Sequence, residues 1–251
     1  MTPVIGISSS SLPEASATEL LSSATAMGAE CVDLRAGRGQ GWEPEFDLIA
    51  GRLPVAFVGV GATLGAGVPA EPAPPDLMRA AIERGIPLRL FAGPLDDAAG
   101  VRRFAADVGL LRDTWGPRLR LAVEPHTAAP TLAQLDDVLA EHGIGAVVDT
   151  LGLVRLGASL DESRAFLCRH AIAVQVKGLV LRDGVYRHTA LSGAPSLTAW
   201  TAALISDARV PITVETKAGT AAEDIRTLRQ ALQGSLSAPV PQEVVSCVLA
   251  S

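Results

Sequence analysis

Short runs of apolar and β-branched residues recur along the whole chain: Val4 to Ser8, Cys31 to Arg35, Val55 to Val60, Leu88 to Ala92, Leu121 to Glu124, Ala146 to Asp149, Ala173 to Lys177 and Ile212 to Glu215. Runs of this length predict strands rather than helices. Between them, apolar residues return at helical spacing, as in Leu132, Leu135 and Leu139, or Ile225, Leu228 and Leu232. That spacing predicts helices with one face turned to a sheet. Ser11-x-x-Glu14, Thr131-x-x-Gln134, Ser159-x-x-Glu162 and Thr220-x-x-Glu223 have the form of capping boxes, which satisfy the orphan donors of a helix's first turn.

Eight strands alternating with helices predict consecutive βαβ units, and 251 residues suit their closure into a single (β/α)₈ TIM barrel. An open dinucleotide-binding sheet would carry G-x-G-x-x-G at its first turn, where this chain has Ser8-Ser9-Ser10-Ser11. The barrel is expected over 1–233, with an irregular loop from Gly65 to Pro75. A packed terminal segment or short docking helix is expected over 234–251, where Val244, Val245, Val248 and Leu249 supply apolar surface.

Composition narrows the classes of function. No run of eighteen apolar residues occurs and no basic segment precedes an apolar stretch, so neither a membrane span nor a secretory signal is expected, and the chain reads as a soluble cytoplasmic protein. A net charge of −6 without an arginine stripe argues against a nucleic-acid partner. Cys31, Cys168 and Cys247 lack the spacing of a disulfide framework or a zinc site. Arginine supplies nineteen of the basic residues, which leaves only Lys177 and Lys217 as lysines.

Polar residues at strand C-termini are where barrel enzymes do chemistry, because the strand interiors hold packed layers. Four consecutive strands here end in a carboxylate or amide: Val123-Glu124-Pro125, Val147-Val148-Asp149-Thr150, Val174-Gln175-Val176-Lys177 and Ile212-Thr213-Val214-Glu215. Glu124, Asp149, Gln175 and Glu215 are therefore expected to share one pocket that takes a small-molecule substrate.

In these phrases the sequence resembles the sugar-phosphate isomerase/epimerase superfamily, the xylose isomerase-like barrels. The family's corresponding segments look like "lEp", "vvDtgH", "HvK" and "isvE". Val32-Asp33-Leu34-Arg35 is similar to its "vElr", and Leu191-Ser192-Gly193 to its "lGeG" turn. The resemblance implies one divalent metal held by Glu124, Asp149, the residue at 175 and Glu215. It implies proton transfer by Glu124 and Glu215 next to a carbonyl, as in isomerisation or epimerisation of a sugar-like or hydroxy-keto molecule. It also implies scope for homo-oligomers built through helices. Three positions depart from the pattern: Gln175 stands in place of a metal-binding His, Gly152 in place of a second His, and Gly178 in place of an acid. A glutamine carbonyl would leave an all-oxygen set suited to Mg²⁺ or Mn²⁺.

Strand alternation places Lys177 and Lys217 on the same side as the ligands two residues before them. Either one serves as a charge-stabilising cation, a Schiff-base nucleophile or an ion-pair partner of nearby carboxylates. His126 is a candidate general base or spare ligand. Arg35, Arg187 and His188 are candidate substrate contacts, while His142 and His170 read as helix-end residues. Trp42 reads as a lid contact or a partly buried surface aromatic. Alongside the isomerase, a metal-independent lyase, dehydratase or cyclase of secondary metabolism and a non-catalytic ligand-binding relative remain as readings. An endonuclease would need more histidines and a basic face.

Overall fold

The apolar runs become the strands of a closed parallel barrel in the computed structural model, which describes residues 3–37, 39–125 and 131–235. The chain runs through β1 (Ile5–Ser8), α1 (Ala17–Ala26), β2 (Val32–Arg35), α2 (Phe46–Ala50), β3 (Val55–Leu64), α3 (Pro75–Glu83), β4 (Leu88–Ala92) and α4 (Ala98–Trp115). It continues through β5 (Leu121–Glu124), α5 (Leu132–His142), β6 (Gly145–Asp149), α6 (Thr150–Arg155), α7 (Leu160–His170) and β7 (Ala171–Val176). A hairpin of β8 (Leu179–Arg182) and β9 (Val185–His188) precedes α8 (Pro195–Ile205), β10 (Ile212–Val214) and α9 (Ala221–Ser235). Around the barrel the order is β1-β10-β7-β6-β5-β4-β3-β2. Among the described residues the hairpin is the strand pair that the eight apolar runs leave out; its Arg182, Val185 and Arg187 are exposed.

Alternation along each strand divides the interior into two cores. Outward residues such as Ile7, Leu34, Val123, Val174 and Val214 join the helices in the main apolar cluster. Phe57, Ala122, Val147 and Ala173, with Ala56 packed beside them, form a separate small cluster within the barrel. One step further along the same inward faces the side chains turn polar: Arg89, Glu124, Asp149, Gln175 and Thr213 are all buried. Register holds them level, since Gln175 is paired with Thr213 on one side and Asp149 on the other. The functional layer thus stands on an apolar floor.

Capping follows the sequence at Thr131 and Ser159, where both halves of each box form. The expected box at Ser11 is replaced by Ser16 and Glu19, five residues on. Ser11 ends a 3₁₀ turn instead, and its hydroxyl accepts the Thr216 N–H, tying the first loop to the last. Near α9, Thr220 donates to Asp224 and Glu223 accepts from Ser192. The loop after β3 is irregular as expected, and Asp107 of α4 pins it by accepting the N–H groups of Gly65 and Gly67. Trp42 is neither a lid nor a surface residue: it is 0% exposed and belongs to the main core. His142 and His170 lie in the last turns of α5 and α7, and His170 contacts Asp136 at 2.5 Å. Of the expected terminal segment, 236–251 lie outside the described residues. Among the described residues no helix is long and apolar enough to cross a membrane.

Gly6 marks the tightest packing of β1, since a Cβ there would overlap the Cys31 carbonyl that accepts the Ile7 N–H. Gly6→Ala is expected to cost about 2 kcal/mol or more in urea unfolding, by forcing strand and loop apart. An unchanged midpoint would show that the two segments can separate freely.

Candidate active site

Lys177 follows the last residue of β7, and its side chain turns into the barrel mouth two residues beyond the inward Gln175. There its Nζ contacts Asp149 Oδ2 and lies 3.6 Å from Glu124 Oε1 and 3.5 Å from Glu215 Oε2. Three strand ends thus deliver carboxylates to one ammonium, and all four residues are buried. Arg89 approaches Glu124 from β4. Its Nε lies 3.1 Å from Glu124 Oε2, although the two atoms are out of line for a hydrogen bond. The guanidinium lies over Phe91, with its carbon 4.6 Å from the ring centre. Gly59 makes room for it, since a Cβ there would come 2.5 Å from Arg89 Nη2.

Charge accounts for the proton affinities. Burial pushes the Glu124 carboxyl up to about 7 against the opposing pull of Arg89 and Lys177, and its hydrogen-bonded neighbour Asp149 adds to the rise. Asp149 feels the same burial, but the Lys177 charge and hydrogen bonds from Lys177, Glu124 and the Gly152 N–H overcome it and hold its carboxyl below the usual range. Burial would lower Lys177, yet Asp149, Glu124 and Glu215 together raise it above an ordinary lysine. Asp149 also caps α6 by accepting the N–H groups of Leu151 and Gly152.

Beneath this cluster Asp33 crosses the barrel from β2. It accepts from Ser8 Oγ at 2.7 Å, Thr213 Oγ1 at 2.5 Å and Gln175 Nε2 at 3.2 Å. Burial pushes it up to about 6, against these three hydrogen bonds. In sequence Asp33 stands out only as part of the Val32-Asp33-Leu34-Arg35 phrase; its placement rests on strands β1, β7 and β10 meeting inside the barrel.

A cavity of about 180 Å³ opens above the cluster, lined by Arg35, Arg89, Phe91, Glu124, Asp149, Arg155, Lys177 and Glu215 among others. His188, at the end of β9, is half-buried, and burial lowers its proton affinity despite the attraction of Glu215. Its Nδ1 is buried without a hydrogen-bond partner. Arg187 is exposed on the opposite face of β9, so of the two candidates only His188 turns toward the site. Lys217 is also exposed and does not line the cavity: β10 ends at Val214, and alternation does not carry past it. His126 lies outside the described residues. Arg89 and Arg155 were missed in sequence. A lone arginine inside the apolar strand Leu88-Arg89-Leu90 was the available signal for the first, whereas Arg155 reads in sequence as an ordinary helix-end cation.

A divalent ion held by Glu124, Asp149, Gln175 and Glu215 does not fit this arrangement. The point on which the three carboxylates converge is taken by the Lys177 ammonium. Gln175 turns its amide nitrogen to Asp33, and its Oε1 is buried without a hydrogen-bond partner. Among the described residues no three His, Cys, Asp or Glu side chains form a group able to hold a metal.

No family model matches the chain, and no curated protein matches it in sequence. Solved structures match in fold. L-ribulose 3-epimerase superposes with a TM-score of 0.64 at 13% identity, covering 96% of this chain and 100% of the other. A xylose isomerase domain containing protein from Salmonella typhimurium LT2 gives 0.62 at 13% identity, covering 94% and 98%. The chain has the xylose isomerase-like barrel fold. The IolI protein with a binding zinc atom, at 0.60 and 12% identity, covers 98% of this chain and 99% of its own. Gly152 and Gly178, two of the positions singled out in the sequence, are tightly packed in this barrel. A Cβ on Gly152 would come 2.7 Å from the Pro125 carbonyl oxygen, and one on Gly178 would overlap that of Thr189. Neither position has space for the side chain that the phrases would place there.

The raised acid at Asp33 has a consequence for stability. A carboxyl whose folded value, about 6, exceeds its ordinary 3.8 binds its proton more tightly in the folded state. Its contribution is therefore present in full below the unfolded value and is lost as pH rises through about 6. Asp33→Asn is expected to remove on the order of 3 kcal/mol of that pH dependence, seen as a flatter unfolding free energy between pH 4 and 7 than in the wild type. Identical slopes in the two proteins would place the titration elsewhere.

Proposed function

We propose that this protein is an isomerase or epimerase that moves a proton at a carbon next to the carbonyl of a small polar molecule, with the Lys177 ammonium in place of a divalent metal. The observation that carries the reading is the position of Lys177 Nζ at the convergence of Glu124, Asp149 and Glu215. A buried cation there would stabilise the oxygen that gains charge when a proton leaves the neighbouring carbon. Arg89, against Glu124, would reinforce it.

Glu124 and Glu215 come from strands separated by β6 and β7 and flank the ammonium. Two carboxyl groups so placed can take a proton from one position and return one to another, which is the requirement of isomerisation through an enediolate. A Glu124 that titrates near 7 holds or gives up its proton at neutral pH. Asp149 would hold Lys177, Gln175 and Asp33 would brace the floor, and His188 would close the site from the hairpin. The epimerase named among the fold neighbours is in keeping with this chemistry. The raised proton affinity of Lys177 speaks against a neutral amine nucleophile and hence against a Schiff-base route. The same Glu124 acid could serve a departing hydroxyl, so dehydration is the second reading, and product analysis separates the two.

Incubation in deuterium oxide with a panel of small hydroxy ketones and ketoses is expected to place deuterium beside the carbonyl of at least one compound. Glu124→Gln should reduce that exchange at least ~100-fold. Exchange at the wild-type rate in both Glu124→Gln and Glu215→Gln would overturn the reading.

The built-in cation makes a separate prediction. Wild-type turnover should be indifferent to EDTA, and Lys177→Gln, which leaves three buried carboxylates without their ammonium, should acquire Mn²⁺ binding measurable as a rise in its melting temperature. Dependence of the wild type on added Mn²⁺ would return the metal to the site.

A further inference from the structure

We infer that the site takes a small anion, a molecule bearing a carboxylate or a phosphate, and that Arg155 holds the anionic group at the mouth. The inference rests on the proposed site but not on its chemistry, because binding requires no proton to move.

Charge balance is the first support. The cavity is lined by four cationic side chains, Arg35, Arg89, Arg155 and Lys177, against the three carboxylates of Glu124, Asp149 and Glu215. In a chain whose net charge is −6 this is a gathering of cations at one mouth. The two inner cations are held by the carboxylates, Lys177 by all three and Arg89 by Glu124. Arg35 and Arg155 form the outer pair.

Positioning is the second support. Arg155 is the last residue of α6, the helix capped by Asp149, so the carboxylate that grips Lys177 also sets the arginine above it. Its guanidinium carbon lies 5.6 Å from the centre of the Tyr186 ring on the hairpin. Arg155 is itself exposed, with Tyr186 beside it at the rim of the cavity that it lines, and among the described residues no carboxylate forms an ion pair with it. A guanidinium so placed is suited to two parallel hydrogen bonds with a carboxylate or phosphate. The cavity, about 180 Å³, has room for a short-chain acid.

The test compares D-glycerate, glycerol 3-phosphate and neutral glycerol by isothermal titration calorimetry on wild type, Arg155→Gln and Arg155→Lys. At least one anion is expected to bind while glycerol does not, and added salt should weaken it. Which anion binds decides between carboxylate and phosphate. Arg155→Gln should weaken that anion about tenfold, with part of the loss recovered in Arg155→Lys. Glycerol binding as well as both anions, no anion binding at all, or equal affinity in wild type and Arg155→Gln would each overturn the inference. An arginine that only packs on Tyr186 would give the last of these results. Anion binding without deuterium exchange on any compound would sink the proton-transfer reading and leave this one standing. Exchange confined to neutral ketoses would do the reverse.

Discussion

A lysine ammonium buried to 7% exposure tolerates its position only if opposite charge surrounds it, because the loss of water around an ion costs several kcal/mol unless partners replace it. At Lys177 that requirement draws together the ends of β5, β6 and β10. It also fixes more distant features. Asp149 serves Lys177 and the first turn of α6 at once, so the helix that carries Arg155 is oriented by the same carboxylate that neutralises the pocket's central charge. Three carboxylates against Lys177 and Arg89 leave one negative charge over, and a proton on Glu124 cancels it. Burial is what raises that acid to about 7, against the pull of Arg89 and Lys177.

The layer below answers a different constraint. Asp33 has no ion-pair partner among the described residues, and three neutral donors hold it instead. Donors of this kind satisfy a carboxyl without adding charge to a region that already holds three carboxylates just above. Gln175 belongs to this support rather than to a metal shell. Its amide nitrogen donates to Asp33, while the Lys177 ammonium takes the centre between the carboxylates. The amide at 175 and the lysine at 177 are therefore parts of one arrangement.

Similarity to xylose isomerase-like barrels at 12–13% identity is a likeness of scaffold. What this chain does with the scaffold depends on substitutions at strand ends and on glycines that close off alternatives. Gly59 admits a buried arginine, while Gly152 and Gly178 leave no space for further side chains. The hairpin β8–β9 adds His188 and Tyr186 over the mouth.

The amino-acid sequence by itself determined the strands, their parallel succession and the four polar strand ends, because apolar periodicity and alternation are local properties that one chain segment expresses without its neighbours. Glu124, Asp149, Glu215 and Lys177 were legible for that reason. Alternation failed at Lys217, where the strand had already ended, and polarity misjudged Trp42, which the outer core encloses. Only tertiary structure decided that the carboxylates converge on an ammonium, that Arg89 enters beside them, that Asp33 meets Gln175 across the barrel, and that Arg155 lies beside Tyr186. These are contacts between strands and loops distant in sequence, and closure of the barrel is what sets their distances.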